Sequence, residues 1–163
     1  KSASVLFVSA NYRLSNDADM FEITSQVFLF PNNDALRATI KKPVKKEPTA
    51  WANALYYNFF LFEAPVQGAT ANRDQNIAAL SANNGAQMRI LLDMGAKRMA
   101  EMVAADLEGG EQADAAAATV TVKNPLFSQM DAKGKLVKED NDGRLVRTND
   151  GNLFYGAKAG ARP

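Results

Sequence analysis

Val5-Leu6-Phe7-Val8-Ser9-Ala10-Asn11-Tyr12-Arg13-Leu14 and, past a short break, Phe21-Glu22-Ile23-Thr24-Ser25-Gln26-Val27-Phe28-Leu29 are the stretches that decide the fold. In the first, Leu6, Val8, Ala10, Tyr12 and Leu14 alternate with Phe7, Ser9, Asn11 and Arg13. In the second, Phe21, Ile23, Val27 and Leu29 alternate with Glu22, Thr24 and Gln26. Successive side chains of a strand point to opposite faces, so this alternation predicts two strands, each with one buried face. Between them, Ser15-Asn16-Asp17-Ala18-Asp19 is rich in residues that bond their own backbone in turns. Residues 1–34 therefore read as a β-hairpin, closed by Pro31-Asn32-Asn33-Asp34.

Downstream, Asp34 is a candidate N-cap for a short helix through Ala35, Leu36 and Ile40. Lys41-Lys42-Pro43-Val44-Lys45-Lys46 comes next, and Pro43 and Pro48 make it an exposed loop rather than a helix. Residues 49–62 fit two patterns. Trp51, Leu55, Phe59 and Phe62 keep helical spacing, whereas Leu55, Tyr57, Phe59 and Leu61 suit a strand buried on both faces. The reading taken is a helix starting at Pro48 that gives way to extended chain, inside a helix-rich segment 48–108.

Within that segment Ile77 and Leu80 mark a first helix, stopped by Asn83-Asn84-Gly85. A second carries the stripe Met88, Leu91, Leu92, Gly95, Met99, Met102 and Val103, and Glu108-Gly109-Gly110 ends it. Glu111 to Ala118 reads as a connector. Residues 119–157 return to β: Thr119-Val120-Thr121-Val122 is β-branched, and the turn dipeptides Asp142-Gly143 and Asp150-Gly151 bracket Arg144–Thr148 and Asn152–Tyr155. Residues 158–163 read as a tail. The expectation is one α+β domain spanning 1–163: an antiparallel sheet, or a partly open OB-like barrel, with a helical insertion in mid-chain.

Composition narrows the chemistry. The chain has no cysteine and no histidine, which removes thiolate and imidazole nucleophiles, bases and the usual zinc ligands. No glycine lies in a phosphate-binding pattern. Glu139, Asp140 and Asp142 cluster, but no glutamate closes a calcium loop, so a solvated turn is expected rather than a metal site. No cofactor and no enzyme activity are expected. The dense apolar run 54–62 is too short for a membrane helix, so no membrane partner is expected.

The net charge of +1 leaves only local electrostatics. Arg37, Lys41, Lys42, Lys45 and Lys46 face a single acid, Glu47, between residues 35 and 47, and lead into Trp51, Tyr56 and Tyr57. Lysines neutralise phosphates and aromatic rings stack on bases. These residues are the candidate nucleic-acid contacts, with Arg144, Arg147 and Lys158 as a second rim. The plainer account is a solvated loop beside core aromatics. The rival function is a viral structural or assembly protein such as a capsid, decoration or tail component. It rests on the absent catalytic residue types, the alanine- and glycine-containing arms and the apolar helix stripe, which predicts a homo-oligomer. A host-cell cytoplasmic location suits the first reading and a virion the second.

The layout also resembles phage single-stranded DNA-binding proteins of the OB-fold kind. Ser9-Ala10-Asn11 would lie in the first strand, Glu22 to Phe30 with Pro31 would form the second, and Asp34, Leu36 and Ile40 the short helix. Ala157-Lys158 and Arg162-Pro163 are similar to the stretch those proteins place before a later strand. Residues 69–107 depart from the pattern as a helical insertion, and the chain stops where the family's last strands follow. The resemblance implies sequence-tolerant binding of single strands by a basic groove with aromatic platforms.

Overall fold

The computed structural model describes residues 4–40, 53–110, 112–127 and 130–161. The elements in chain order are β1 (Ser4–Leu14), β2 (Met20–Pro31), α1 (Asp34–Arg37), β3 (Tyr56–Pro65), α2 (Arg73–Leu107), β4 (Thr119–Lys123), β5 (Asp131–Glu139), β6 (Gly143–Thr148) and β7 (Leu153–Ala157). The protein is α+β. All seven strands among the described residues join one sheet in the order β1-β2-β3-β7-β6-β5-β4. Every neighbouring pair is antiparallel except β3 with β7. That parallel pair is possible because the chain between the two strands is long enough to cross over.

The hairpin forms with the expected boundaries, and β1 and β2 pair without a register break from Ser4↔Pro31 to Leu14↔Phe21. On β2 the expected face is buried: Phe21, Ile23 and Val27 lie in the core. On β1 it is not, and this is a correction. Leu6, Val8 and Tyr12 stay exposed because α2 packs on β2 and β3 and stops short of the outer strand. Residues 56–65 are a strand, the extended chain the sequence predicts, within the segment 48–108 expected to be helix-rich; the helical start at Pro48 lies outside the described residues. Phe60 and Phe62 point to the helix side and Leu61 to the other, and all three are fully buried, so β-type burial on both faces wins over the 3.6-residue spacing. A second correction is the cap of α1: Asn33, not Asp34, accepts from the Leu36 amide, and Asp34 sits in the first turn.

α2 is two helices meeting at a kink. Asn83, Asn84 and Gly85 all take left-handed backbone, with φ of 52°, 55° and 72°, where asparagine and glycine are best tolerated. Its first turn is capped by Asn72, which accepts from the amides of Asp74 and Gln75. It is also pinned by buried Asn76, which donates to the carbonyls of Asp17 and Thr70. The methionine stripe is core, with Leu91, Met94, Met99, Met102 and Val103 buried against the sheet. Gly95 marks the closest approach, since a Cβ there would lie 2.5 Å from Ile23 Cδ1 and 3.0 Å from Phe62 Cδ1. Gly95→Ala is expected to destabilise the protein by about 1–3 kcal/mol through overpacking, despite alanine's better helix propensity. Urea denaturation checks it.

β5 lies in a stretch whose lysines and glycine mask the strand pattern in the sequence. The supposed tail at 158–161 is fastened: the Lys158 amide donates to Asp142, and Ala161 packs on the core. The sheet does not lie flat. Four strand spacings separate β4 from β3, about 19 Å in a flat sheet. Yet Lys123 of β4 lies 2.7 Å from both Glu22 of β2 and Glu63 of β3. The far strands therefore curl back over the outer face of β2 and β3, and Leu61, Val122, Val146 and Phe154 form a second small core beneath the roll. No helix among the described residues is long and apolar enough to cross a membrane.

Candidate nucleic-acid interface

The sheet has a helix side and an outer side, and the register sorts the side chains between them. On the outer side Phe7 of β1 pairs with Phe28 of β2, which pairs in turn with Tyr57 of β3. Rings follow from this geometry. Phe28 lies 6.3 Å from Phe7, 5.8 Å from Phe30 and 6.5 Å from Phe59, and Phe59 lies 6.3 Å from Tyr57. Phe28 and Phe59 are buried, but Phe7 is 53% and Tyr57 49% exposed. The result is an aromatic platform with a buried floor and two accessible rings. Sequence reasoning named Tyr57 and missed the phenylalanines. Continuing the parity of Glu22, Thr24 and Gln26 to Phe28 and Phe30 would have found two of them.

The platform occupies one end of the outer face, and the roll covers the other. Glu22 is 1% exposed and sits opposite Glu63 in the register. Arg13 Nε donates to it at 2.6 Å and Lys123 Nζ at 2.7 Å. Burial opposes the charge on Lys123, but its bonds to Glu22 and Glu63 outweigh that and hold its ammonium above the ordinary lysine range.

The expected contacts do not form one constellation. Lys41, Lys42, Lys45, Lys46 and Trp51 lie outside the described residues, as does Arg162. Arg37 is exposed beside Asp34, 3.2 Å away. Tyr56 and Tyr57 point to opposite faces. Tyr56 donates to Asp106, near the end of α2, which also accepts from Asn58 Nδ2 and from Arg147 Nη2, each at 2.6 Å. Arg147 is thus a structural ion pair on the helix side, also bonded to the Gly151 carbonyl at 2.9 Å. Burial, the Asp106 bond and the Asp106 charge push the Tyr56 hydroxyl well above the ordinary tyrosine range, so it serves as a neutral donor. Arg144 and Lys158 do come together, lining a cleft of about 310 Å³ with Phe154, but Glu63 and Glu139 share it. Lys158 is held by Glu139 at 3.1 Å and by the Asp140 carbonyl. This second rim is charge-balanced rather than basic.

The platform stands apart from these ion pairs, at the end of the outer face where β2 ends and β3 begins. β2 ends at Pro31, next to Phe30, and Leu55 donates its amide to Leu29 at 2.7 Å just before Tyr57. The lysine-bearing segment 41–52 lies outside the described residues, and the strands before and after it, β2 and β3, are ones that carry the rings. Comparison of the chain with protein families, with curated proteins and with solved structures finds no match. The fold and the surface define a class: an α+β domain whose rolled, mostly antiparallel sheet carries an aromatic face on its first three strands.

Proposed function

We propose that the protein binds single-stranded nucleic acid, without strong sequence preference and without catalysis, on the outer face of β1, β2 and β3. The observation that carries this is the ring cluster with half-exposed Phe7 and Tyr57. Stacked rings accept any base, because every base has a π-face. Connectivity supports it too. β1, β2 and β3 form a meander, β3 pairs in parallel with β7, and β6 follows as the fifth strand. In this reading they are an OB-like core, with β4 and β5 as an added hairpin. OB domains take oligonucleotides on the face of their second and third strands, where Phe28, Phe30, Tyr57 and Phe59 stand. Lys41, Lys42, Lys45 and Lys46, in the chain between β2 and β3, supply phosphate neutralisation.

The test is a titration with oligothymidylate, read by Trp51 fluorescence and by gel shift. Binding is expected to weaken steeply with salt. Replacing the four lysines by alanine should reduce the log–log salt slope by about 2–3, near 0.7 for each phosphate of a single strand that is no longer neutralised. Tyr57→Ala and Phe7→Ala should each weaken binding by about fivefold or more, the low end for removal of a stacking ring. No binding at low salt, or binding indifferent to both changes, sinks the reading. The bare β1 edge favours a second reading, a self-associating structural protein, which a large defined assembly formed without nucleic acid would support.

A further inference from the structure

We infer that β1 is a dimer seam: two copies of the chain pair their β1 strands antiparallel about a two-fold axis and join their sheets into one. β1 ends the strand order, and among the described residues it pairs only with β2. Its outer edge therefore presents free amides and carbonyls. Proteins blunt such edges with charges, prolines, bulges or short strands. β1 has none of these over most of its length. It runs for 11 residues, its register with β2 is unbroken, and Ser4 to Tyr12 contains neither a charged residue nor a proline. The opposite edge is protected: β4 has five residues and ends in Lys123.

The side chains agree with the backbone. Val5, Leu6, Phe7, Val8 and Tyr12 are 46–61% exposed, Leu6, Val8 and Tyr12 on the helix side and Val5 and Phe7 on the outer side of the strand, so exposed apolar surface flanks the edge on both faces. Beside them an apolar groove of about 480 Å³ runs between β1 and α2, walled by Leu6, Val8, Ala10, Met99, Val103 and Leu107. Pairing at the edge would cover apolar surface on both faces together with the mouth of the groove, the kind of burial a stable pair draws on.

A second copy fits because the edge is self-complementary. A two-fold axis perpendicular to the sheet maps each face onto itself. Pairing over all of Ser4–Leu14 then sets Ser9 opposite Ser9, Val8 opposite Ala10 and Leu6 opposite Tyr12 of the second copy. Each of these last pairs lies on the helix side, so apolar meets apolar and covers the mouth of the groove. Arg13 falls opposite Val5, so no like charges are opposed. A phosphate-bearing or otherwise charged partner would find no counter-charge along this run.

The measurement is sedimentation of the full chain at about 100 µM without nucleic acid, a concentration that populates even a weak dimer. Leaving out nucleic acid separates this inference from the binding function. The expected mass is twice 17.7 kDa. Val8→Lys, at an exposed position, should leave the circular dichroism unchanged and raise the dimer dissociation constant by about tenfold or more. The chain has no cysteine, so Ser9→Cys takes a single spin label, and the two labels should lie within about 20 Å across adjacent strands. A monomer, a dimer that Val8→Lys leaves intact, or labels farther apart would each overturn the seam. So would a monomer that pairs its β1 edge only with a different protein.

Discussion

Lys123→Met is expected to cost about 3 kcal/mol and to loosen the roll of the sheet before the rest of the fold gives way. Lys123 is the one cation within reach of both Glu22 and Glu63 among the described ion pairs. These carboxylates stand directly opposite each other on neighbouring strands, an arrangement that repels when uncompensated. Breaking a buried pair by removing one partner costs about 3–5 kcal/mol. The low end applies because Arg13 stays on Glu22 and Lys123 keeps a third of its side chain in water. For a chain of this length the loss corresponds to a fall in Tm of about 6–12 °C. Lys123→Arg should retain most of the stability, and adding Glu63→Gln to Lys123→Met should restore part of it by removing the repulsion. Because the ammonium is held above the ordinary lysine value, its contribution is complete below about pH 10 and fades as pH rises through the folded value. Hydrogen exchange on β4 amides would report local opening. A Lys123→Met protein with wild-type denaturation and protected β4 would show that apolar packing of Val122 and Leu61 alone closes the roll.

The parts of this fold that were legible in sequence are those whose pattern is local. The alternation in 5–29 gives both hairpin strands, and Asn83-Asn84-Gly85 gives the kink because only a few residue types tolerate left-handed backbone. The spacing of Met88 to Val103 gives the buried face of α2. The failures share one cause, that burial depends on partners distant in sequence. The apolar face of β1 reads as core, yet what covers a face is decided by where α2 lies, and α2 lies over β2 and β3. Residues 56–65 satisfy both periods until the sheet closes on both sides of β3. Arg147 reads as a rim cation, and only the return of α2 to β3 and β6 turns it into a partner of Asp106. The aromatic platform was half legible, since parity places Phe28 and Phe30 together on β2. That Phe7 and Tyr57 flank them required the register. The roll was not legible at all, because nothing near Glu22 in sequence announces Lys123.

Asp106→Ala should be as damaging as the loss of Lys123, or more so, at about 3–5 kcal/mol. Its carboxylate is 6% exposed and Arg147 15%, so the substitution takes the Asp106 counter-charge from a largely buried guanidinium. It also takes from the Tyr56 hydroxyl its acceptor and from Asn58 one of two, the Gly151 carbonyl remaining, and unpaired buried donors carry their full desolvation cost. The damage is expected at one end of the molecule, where this cluster ties the last turn of α2 to β3 and β6. Asp106→Asn, which keeps an acceptor without the charge, should fall between the variant and wild type. The pH dependence separates charge from shape. Burial works against ionisation of Asp106, but the bonds from Tyr56, Asn58 and Arg147, with the Arg147 charge, outweigh it and hold the carboxyl below its ordinary range. A depressed value means the stabilisation is complete above the unfolded value of about 3.9 and disappears as pH falls through the lower folded one. Wild type should therefore lose stability in acid faster than Asp106→Asn, and the two denaturation curves should converge once the pH falls below the lowered folded value. Tyr56 works in the opposite direction. Its raised value favours the protonated hydroxyl, so stability is present below about pH 10 and declines as the unfolded chain ionises. Tyr56→Phe should flatten that alkaline decline. Parallel acid curves for wild type and Asp106→Asn would mean that the Asp106 contribution is hydrogen bonding and packing, with the ion pair adding nothing.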